Sequence, residues 1–256
     1  MGFTLTTMLS AAGLFAGMLL FFELGRRAGR RRLLRDPEGV ATGSGPVEAA
    51  VFGLLGLLLA LTLSGAVSRF EDRRHLIAEE TNAIGTAYLR IDLLPRDVQP
   101  DIRNLFRRYV TARLAAYRNH AGQTESRELQ NRIWSAAIAA GQRPDAAAHA
   151  AILVTPALNA MIDITTTRAV ALQNHPPKIV YFLLAALSLV AALLAGYVMT
   201  TTRLRSWLYM LLVSGTMSVT LFVILDMEYP RFGLIRIDAG DQILAELQQQ
   251  MLQDGK

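Results

Sequence analysis

Residues 49–68 read AAVFGLLGLLLALTLSGAVS, an uncharged run between Glu48 and Arg69. A bilayer core about 30 Å thick is crossed by about 20 apolar residues in helical form. Backbone groups in lipid must satisfy one another, so the run reads as a transmembrane helix. The chain does not break where the apolar run ends. Residues 69–95, RFEDRRHLIAEETNAIGTAYLRIDLLP, hold no proline before Pro95. One helix is therefore expected from Glu48 to Leu94, reaching roughly 70 Å at about 1.5 Å per residue.

Three further runs match it. Residues 1–22 precede Glu23, residues 179–202 lie between Lys178 and Arg203, and residues 206–225 lie between Arg205 and Asp226. The expected fold is an all-α polytopic membrane protein, with four transmembrane helices and a helical extramembrane domain between spans two and three. The expected division is 1–24 span, 25–47 basic loop and linker, 48–68 span, 69–177 helical domain, 178–202 span, 206–227 span, and 228–256 C-terminal tail with a short helix. Four buried helices of a soluble protein are the competing reading. Composition weighs against it: of 256 residues 52% are hydrophobic and 18% charged, where soluble domains carry about 25% charge. No basic segment precedes the first run, so it does not read as a cleavable signal.

Charge placement suggests an orientation. Arg26, Arg27, Arg30, Arg31, Arg32 and Arg35 follow the first span, and Arg203 and Arg205 separate the last two. The positive-inside rule puts both loops in the cytoplasm. The N-terminus, the central domain and the C-terminus are then extracytoplasmic, in a bacterial inner membrane. Arg69, Arg73 and Arg74, directly after the second span, pull the other way. In either case an even number of spans puts domain and tail on one side. Of 26 basic residues only Lys178 and Lys256 are lysines. That bias fits a GC-rich genome and does not require nucleic acid as a partner.

Outside the spans, DPEGVATGSGP at 36–46 reads as a linker. Asp97 is expected to cap a helix with the stripe Val98, Ile102, Leu105, Phe106, Tyr109, Val110, Leu114 and Tyr117. A next helix starts near Thr124 and stops at Gly141. Pro144 is expected to open another, kinked at Pro156 and running to His175-Pro176-Pro177. Phe232–Ile237 reads as a short extended segment, and Asp241 as the cap of an amphipathic helix with Ile243, Leu244, Leu247 and Met251.

Little in the chain carries chemistry. The absence of cysteine removes disulfides, thiolate nucleophiles and thiolate metal sites. His75, His120, His149 and His175 are far apart and read as isolated exposed residues without metal-ligand spacing. Gly43-Ser44-Gly45 lacks the third glycine of a dinucleotide loop. Glu79 and Glu80 point to different helix faces and do not form an acid/base pair. No enzyme, cofactor or metal site is expected.

The long helix is more informative. Gly53, Gly56, Ala60, Ser64, Ser68, Asp72, His75, Glu79, Asn82 and Thr86 recur at an average near 3.6 and share one face. Another face carries Phe70, Ile77, Ile84 and Ile91 at seven-residue steps, with Tyr88 beside it. Two readings of the first face are open. Small residues let helices pack closely and the polar ones are solvated. Alternatively, copies of the helix surround an axis: Gly53, Gly56, Ala60, Ser64, Ser68, Asp72 and His75 line a water-filled path, and Arg69, Arg73, Arg74 and Glu79 supply a charged vestibule. Ser214, Thr216, Ser218 and Thr220 in span four read as packing residues. Glu23, Glu48, Asp226 and Glu228 read as anchors at span ends.

Two stretches carry a resemblance. One is Val67-Ser68-Arg69-Phe70-Glu71-Asp72-Arg73-Arg74, followed by Glu79-Glu80-Thr81-Asn82-Ala83-Ile84-Gly85-Thr86-Ala87-Tyr88-Leu89-Arg90. The other is Asp226-Met227-Glu228-Tyr229-Pro230-Arg231-Phe232-Gly233-Leu234-Ile235-Arg236-Ile237. With the spans, they resemble the bacterial membrane proteins grouped as bestrophin-like domain proteins, which are distantly similar to bestrophin anion channels. The resemblance implies a pentameric homo-oligomer, a second span that lines the pore, small anions as permeant partners and a cytosolic domain. That last implication opposes the charge rule. Arg69-Phe70 and Arg73-Arg74 are only loosely similar to the Arg-Trp-rich segment of bestrophins, since Trp134 and Trp207 lie elsewhere. The other functional expectation is a non-conducting membrane sensor or scaffold whose helical domain binds a partner.

Overall fold

The computed structural model describes residues 2–35, 45–119, 122–201 and 207–254. The 36–44 part of the linker, His120, Arg203, Arg205 and Lys256 lie outside the described residues. Within the described residues every regular element is helical. In order these are α1 (Gly2–Leu33), α2 (Gly45–Leu89), a 3-10 turn (Arg90–Leu93), α3 (Gln99–Asn119), α4 (Gln123–Gly141), α5 (Ala150–Gln173), α6 (Lys178–Val198), a second 3-10 turn (Met199–Thr201), α7 (Trp207–Glu228) and α8 (Asp238–Gln253). Among the described residues four helical stretches are long and apolar enough to cross a membrane.

The chain divides into two compact units, Met1–Phe70 with His175–Arg236, and Glu71–Asn174 with Ile237–Lys256. The first unit contains α1, the first half of α2, α6 and α7. Its core is built from Leu14, Met18 and Phe22 of α1, Leu55, Leu59 and Ala66 of α2, Leu184 and Ala191 of α6, and Met210, Leu221 and Ile224 of α7. Glycines set the α1–α6 crossing. A methyl on Gly25 would overlap the Leu193 carbonyl, one on Gly196 would overlap the Phe22 carbonyl, and one on Gly29 would stand 2.7 Å from the Tyr197 carbonyl oxygen. Close backbone approach of this kind replaces hydrophobic burial as the source of helix packing in lipid. Leucines such as Leu9, Leu20, Leu57, Leu61, Leu208 and Leu212 face outward. Only 17–33% of each apolar window is buried inside the chain, which suits a lipid solvent and would be untenable in water.

The first helix continues through the arginines to Leu33, where a loop was expected from residue 25. Arginine is a good helix former, cations suit a helix C-terminus, and no proline intervenes before Pro37.

The second unit packs α3, α4, α5, the distal half of α2 and α8 around Ile84, Ile91, Phe106, Tyr109, Ile133, Leu158 and Leu244. Gly122, at φ +84°, supplies the left-handed residue that starts α4. The tail helix joins this core: Arg107 donates to the Met251 carbonyl at 2.8 Å and Gln248 to Thr111 at 2.7 Å.

Three local expectations are corrected. Residues 142–149 form turns and α5 begins at Ala150, not at Pro144. Phe232–Ile237 is not extended; it folds in tight turns over the end of α7, with Phe232 N and Gly233 N donating to the Tyr229 carbonyl at 2.9 and 3.1 Å. The last helix starts at Asp238 after Ile237, so Asp241 lies in its first turn and is not its cap.

Candidate functional site

In the first unit, α2 presents Gly53, Gly56, Ala60, Ser64 and Ser68 as exposed positions. Among the described residues, and beyond the helix's own adjacent backbone, no atom lies within 4 Å of where a Cβ would sit on Gly53 or Gly56. The other helices of the chain leave this small, weakly polar face uncovered. In the second unit the distal part of α2 exposes Asp72, His75, Glu79, Asn82 and Thr86. His75 and Glu79 are 3.1 Å apart. The helical spacing that placed these ten residues on one face thus coincides with their exposure.

The arginines are distributed otherwise. Arg69 bonds Glu228 through Nε at 2.9 Å, and the carboxylate is fully buried. Arg73 is buried, and donates from Nε to the Ala171 carbonyl at 3.1 Å and from Nη2 to the Asn174 carbonyl at 2.9 Å. Arg74 is exposed, 3.6 Å from Glu71. Of the vestibule residues, Arg74 and Glu79 are therefore open to solvent and Arg69 and Arg73 are engaged inside their own units.

Glu228 is more than an anchor. Its second oxygen lies 3.3 Å from His175 Nδ1, and the imidazole stacks on Tyr229 at 4.5 Å between ring centroids. His175 is thus a packed residue, not an isolated one. Asp226 is buried and accepts the backbone N–H of Leu234 at 2.8 Å and of Ile235 at 2.7 Å. A Cβ on Gly233 would collide with this carboxylate, so Asp226 and Gly233 together fix the turn after α7. Ser214 and Ser218 are buried without hydrogen-bond partners, and Thr220 back-bonds to the Thr216 carbonyl at 2.8 Å. All three placements suit helix packing.

A second charged cluster lies inside the second unit. Glu80 is fully buried and accepts hydrogen bonds from Arg113 Nε at 2.7 Å, from Arg168 and from the Tyr117 hydroxyl. Both guanidinium groups lie over the Tyr117 ring, at 4.0 Å for Arg168 and 4.7 Å for Arg113. Burial alone would raise the Glu80 carboxyl. The facing Arg168 and Arg113, with the Tyr117 hydroxyl, outweigh it and hold the group below its ordinary value. Burial, and then the Glu80 charge, push the Tyr117 hydroxyl up, so it stays a neutral donor. A signal for this cluster existed in the sequence. Glu80 falls between Ile77 and Ile84 on the apolar stripe, where an unpartnered carboxylate would be prohibitive.

The two motif stretches touch each other in the first unit, where Arg69 of the first meets Glu228 of the second. Comparison with known families matches the bestrophin-like domain over residues 12–240. The chain belongs to the bestrophin-like domain family. The match takes in most of α1, the other three apolar helices and the 71–174 part of the second unit, and the protein is a multi-pass membrane protein. No curated protein and no solved structure matches the chain. Within this bestrophin-like chain the two family-bearing stretches do structural work at Asp226, Glu228 and Arg69, and leave the small face of α2 free.

Proposed function

We propose that this bestrophin-like protein is a non-enzymatic subunit of a homo-oligomeric membrane channel in which α2 lines the path. Small anions are the permeant class implied by the family. The observation that carries this reading is the uncovered face Gly53–Gly56–Ala60–Ser64–Ser68. A helix face meant for lipid is served best by leucine, as on the neighbouring outward positions Leu54, Leu57 and Leu61. A small face with hydroxyls suits close approach of copies around an axis and contact with water. The arginines after α1 support a bacterial inner-membrane orientation with the N-terminus, central unit and C-terminus outside the cytoplasm.

One observation favours a second reading, cation passage. In the second unit the distal part of α2 exposes the carboxylates of Glu71, Asp72 and Glu79 against the guanidinium of Arg74, and Arg73 is turned to backbone carbonyls; in the first unit Arg69 is paired with Glu228. Fixed negative charge at an entrance raises local cation concentration.

The test is reconstitution of the purified oligomer in a planar bilayer under a KCl gradient. Current with a reversal potential near that of chloride supports the anion path, and one near that of potassium supports the cation path. Well-assembled protein with no current contradicts the channel and leaves the sensor or scaffold.

A further inference from the structure

Past the last apolar turn of α1 the exposed surface changes from leucine to arginine while the helix continues. Leu20 is 57% and Leu24 42% exposed, and Arg27 and Arg31 follow them at helical spacing, also exposed. Arg30, Arg32 and Arg35 are exposed beside these. Glu23 holds Arg26 at 2.9 Å and Arg27 at 3.2 Å. Among the described residues Arg30, Arg31, Arg32 and Arg35 meet no carboxylate. The segment is held in place as far as Gly29, which lies against the Tyr197 carbonyl of α6 and Thr200 of the 3-10 turn that follows it.

We propose that this arginine turn is a binding surface for the headgroups of anionic phospholipids in the leaflet where α1 ends. Leu20 and Leu24 lie along the acyl chains. The guanidinium groups that meet no carboxylate among the described residues stand about two to three turns beyond Leu24, where phosphodiesters sit. A guanidinium presents a planar fork that matches two phosphate oxygens, and juxtamembrane basic side chains are drawn to anionic lipid over roughly a Debye length. The continuous apolar-to-basic face favours a lipid over a soluble polyanion, which has no use for the leucines. The inference stands independently of ion conduction.

The test uses the full-length protein in phosphatidylcholine vesicles containing spin-labelled phosphatidylglycerol or spin-labelled phosphatidylcholine. The fraction of each label immobilised at the protein is measured. The expected association is roughly fivefold greater for phosphatidylglycerol, about the attraction of one basic side chain at an anionic surface. The preference should fall to parity in the combined Arg30→Gln, Arg31→Gln, Arg32→Gln, Arg35→Gln variant. It should fall likewise for the unaltered protein at about 1 M salt, where the Debye length is about 3 Å. The corresponding four-lysine variant should keep most of it. Equal association of the two lipids in the unaltered protein overturns the proposal. So does a preference that survives the four glutamine substitutions. Should the glutamine variant fail to reconstitute, a preference insensitive to salt overturns it equally.

Discussion

Arg69 and Glu228, 159 residues apart in sequence, meet at 2.9 Å, with the Glu228 carboxylate wholly buried and the Arg69 side chain 24% exposed. The pair ties α2 to the end of α7 within the first unit. Removing either side chain takes this ion pair from the other, and breaking a buried pair costs about 3–5 kcal/mol. Glu228→Gln and Arg69→Met should each lower the thermal unfolding temperature in detergent markedly. The double variant should lose less than the sum, as a double-mutant cycle would record. Additive losses would mean that the two side chains do not act as a pair.

Glu80 makes stability depend on pH in a defined direction. Its folded-state pKa is lowered, while the unfolded value is about 4.3. Its stabilisation is therefore complete above the ordinary glutamate range and is lost as pH falls through the lowered folded value. Glu80→Gln should destabilise the protein at neutral pH and flatten the acid limb of the stability profile. An acid limb unchanged by the substitution would assign it to other carboxylates.

The α1–α6 crossing admits no side chain at Gly25, whereas Gly53 has open space. Gly25→Ala should cost about 1–3 kcal/mol by overpacking. Gly53→Ala should not lower the unfolding temperature and should raise it slightly, since a helix interior favours alanine over glycine. Equal effects at the two positions would contradict the packing described.

Orientation is open to a direct check. A reporter active only in the cytoplasm, fused after Lys256, should be inactive if the arginines of residues 26–35 set topology. Strong activity would place the tail in the cytoplasm, as in bestrophins.

The apolar runs and the long unbroken helix were legible because they depend on local physics: charge-free length, helical period and the absence of proline. Ile77, Ile84 and Ile91 are all buried, and Phe70 is partly buried, so the seven-residue stripe marks packing. Less legible were features made by partners remote in sequence. Arg69 and Arg73 look like free vestibule charges until Glu228 and the carbonyls of Ala171 and Asn174 are in place. Asp241 looked like a cap because it precedes an apolar run, yet α8 begins three residues earlier. Phe232–Ile237 has the residues of a strand, but Asp226 captures its backbone donors first.

The central claim is that the small face of α2 meets water inside the membrane, and Ser64 tests it most directly. The chain has no cysteine, so Ser64→Cys introduces a single thiol. In the assembled protein in lipid vesicles, that thiol should react with a charged, membrane-impermeant thiol reagent. Reagents of opposite sign should then change ion flux in opposite directions. A thiol that stays unreactive in well-assembled protein, with Ser64→Leu weakening assembly, would show that this face packs helices and does not line a path.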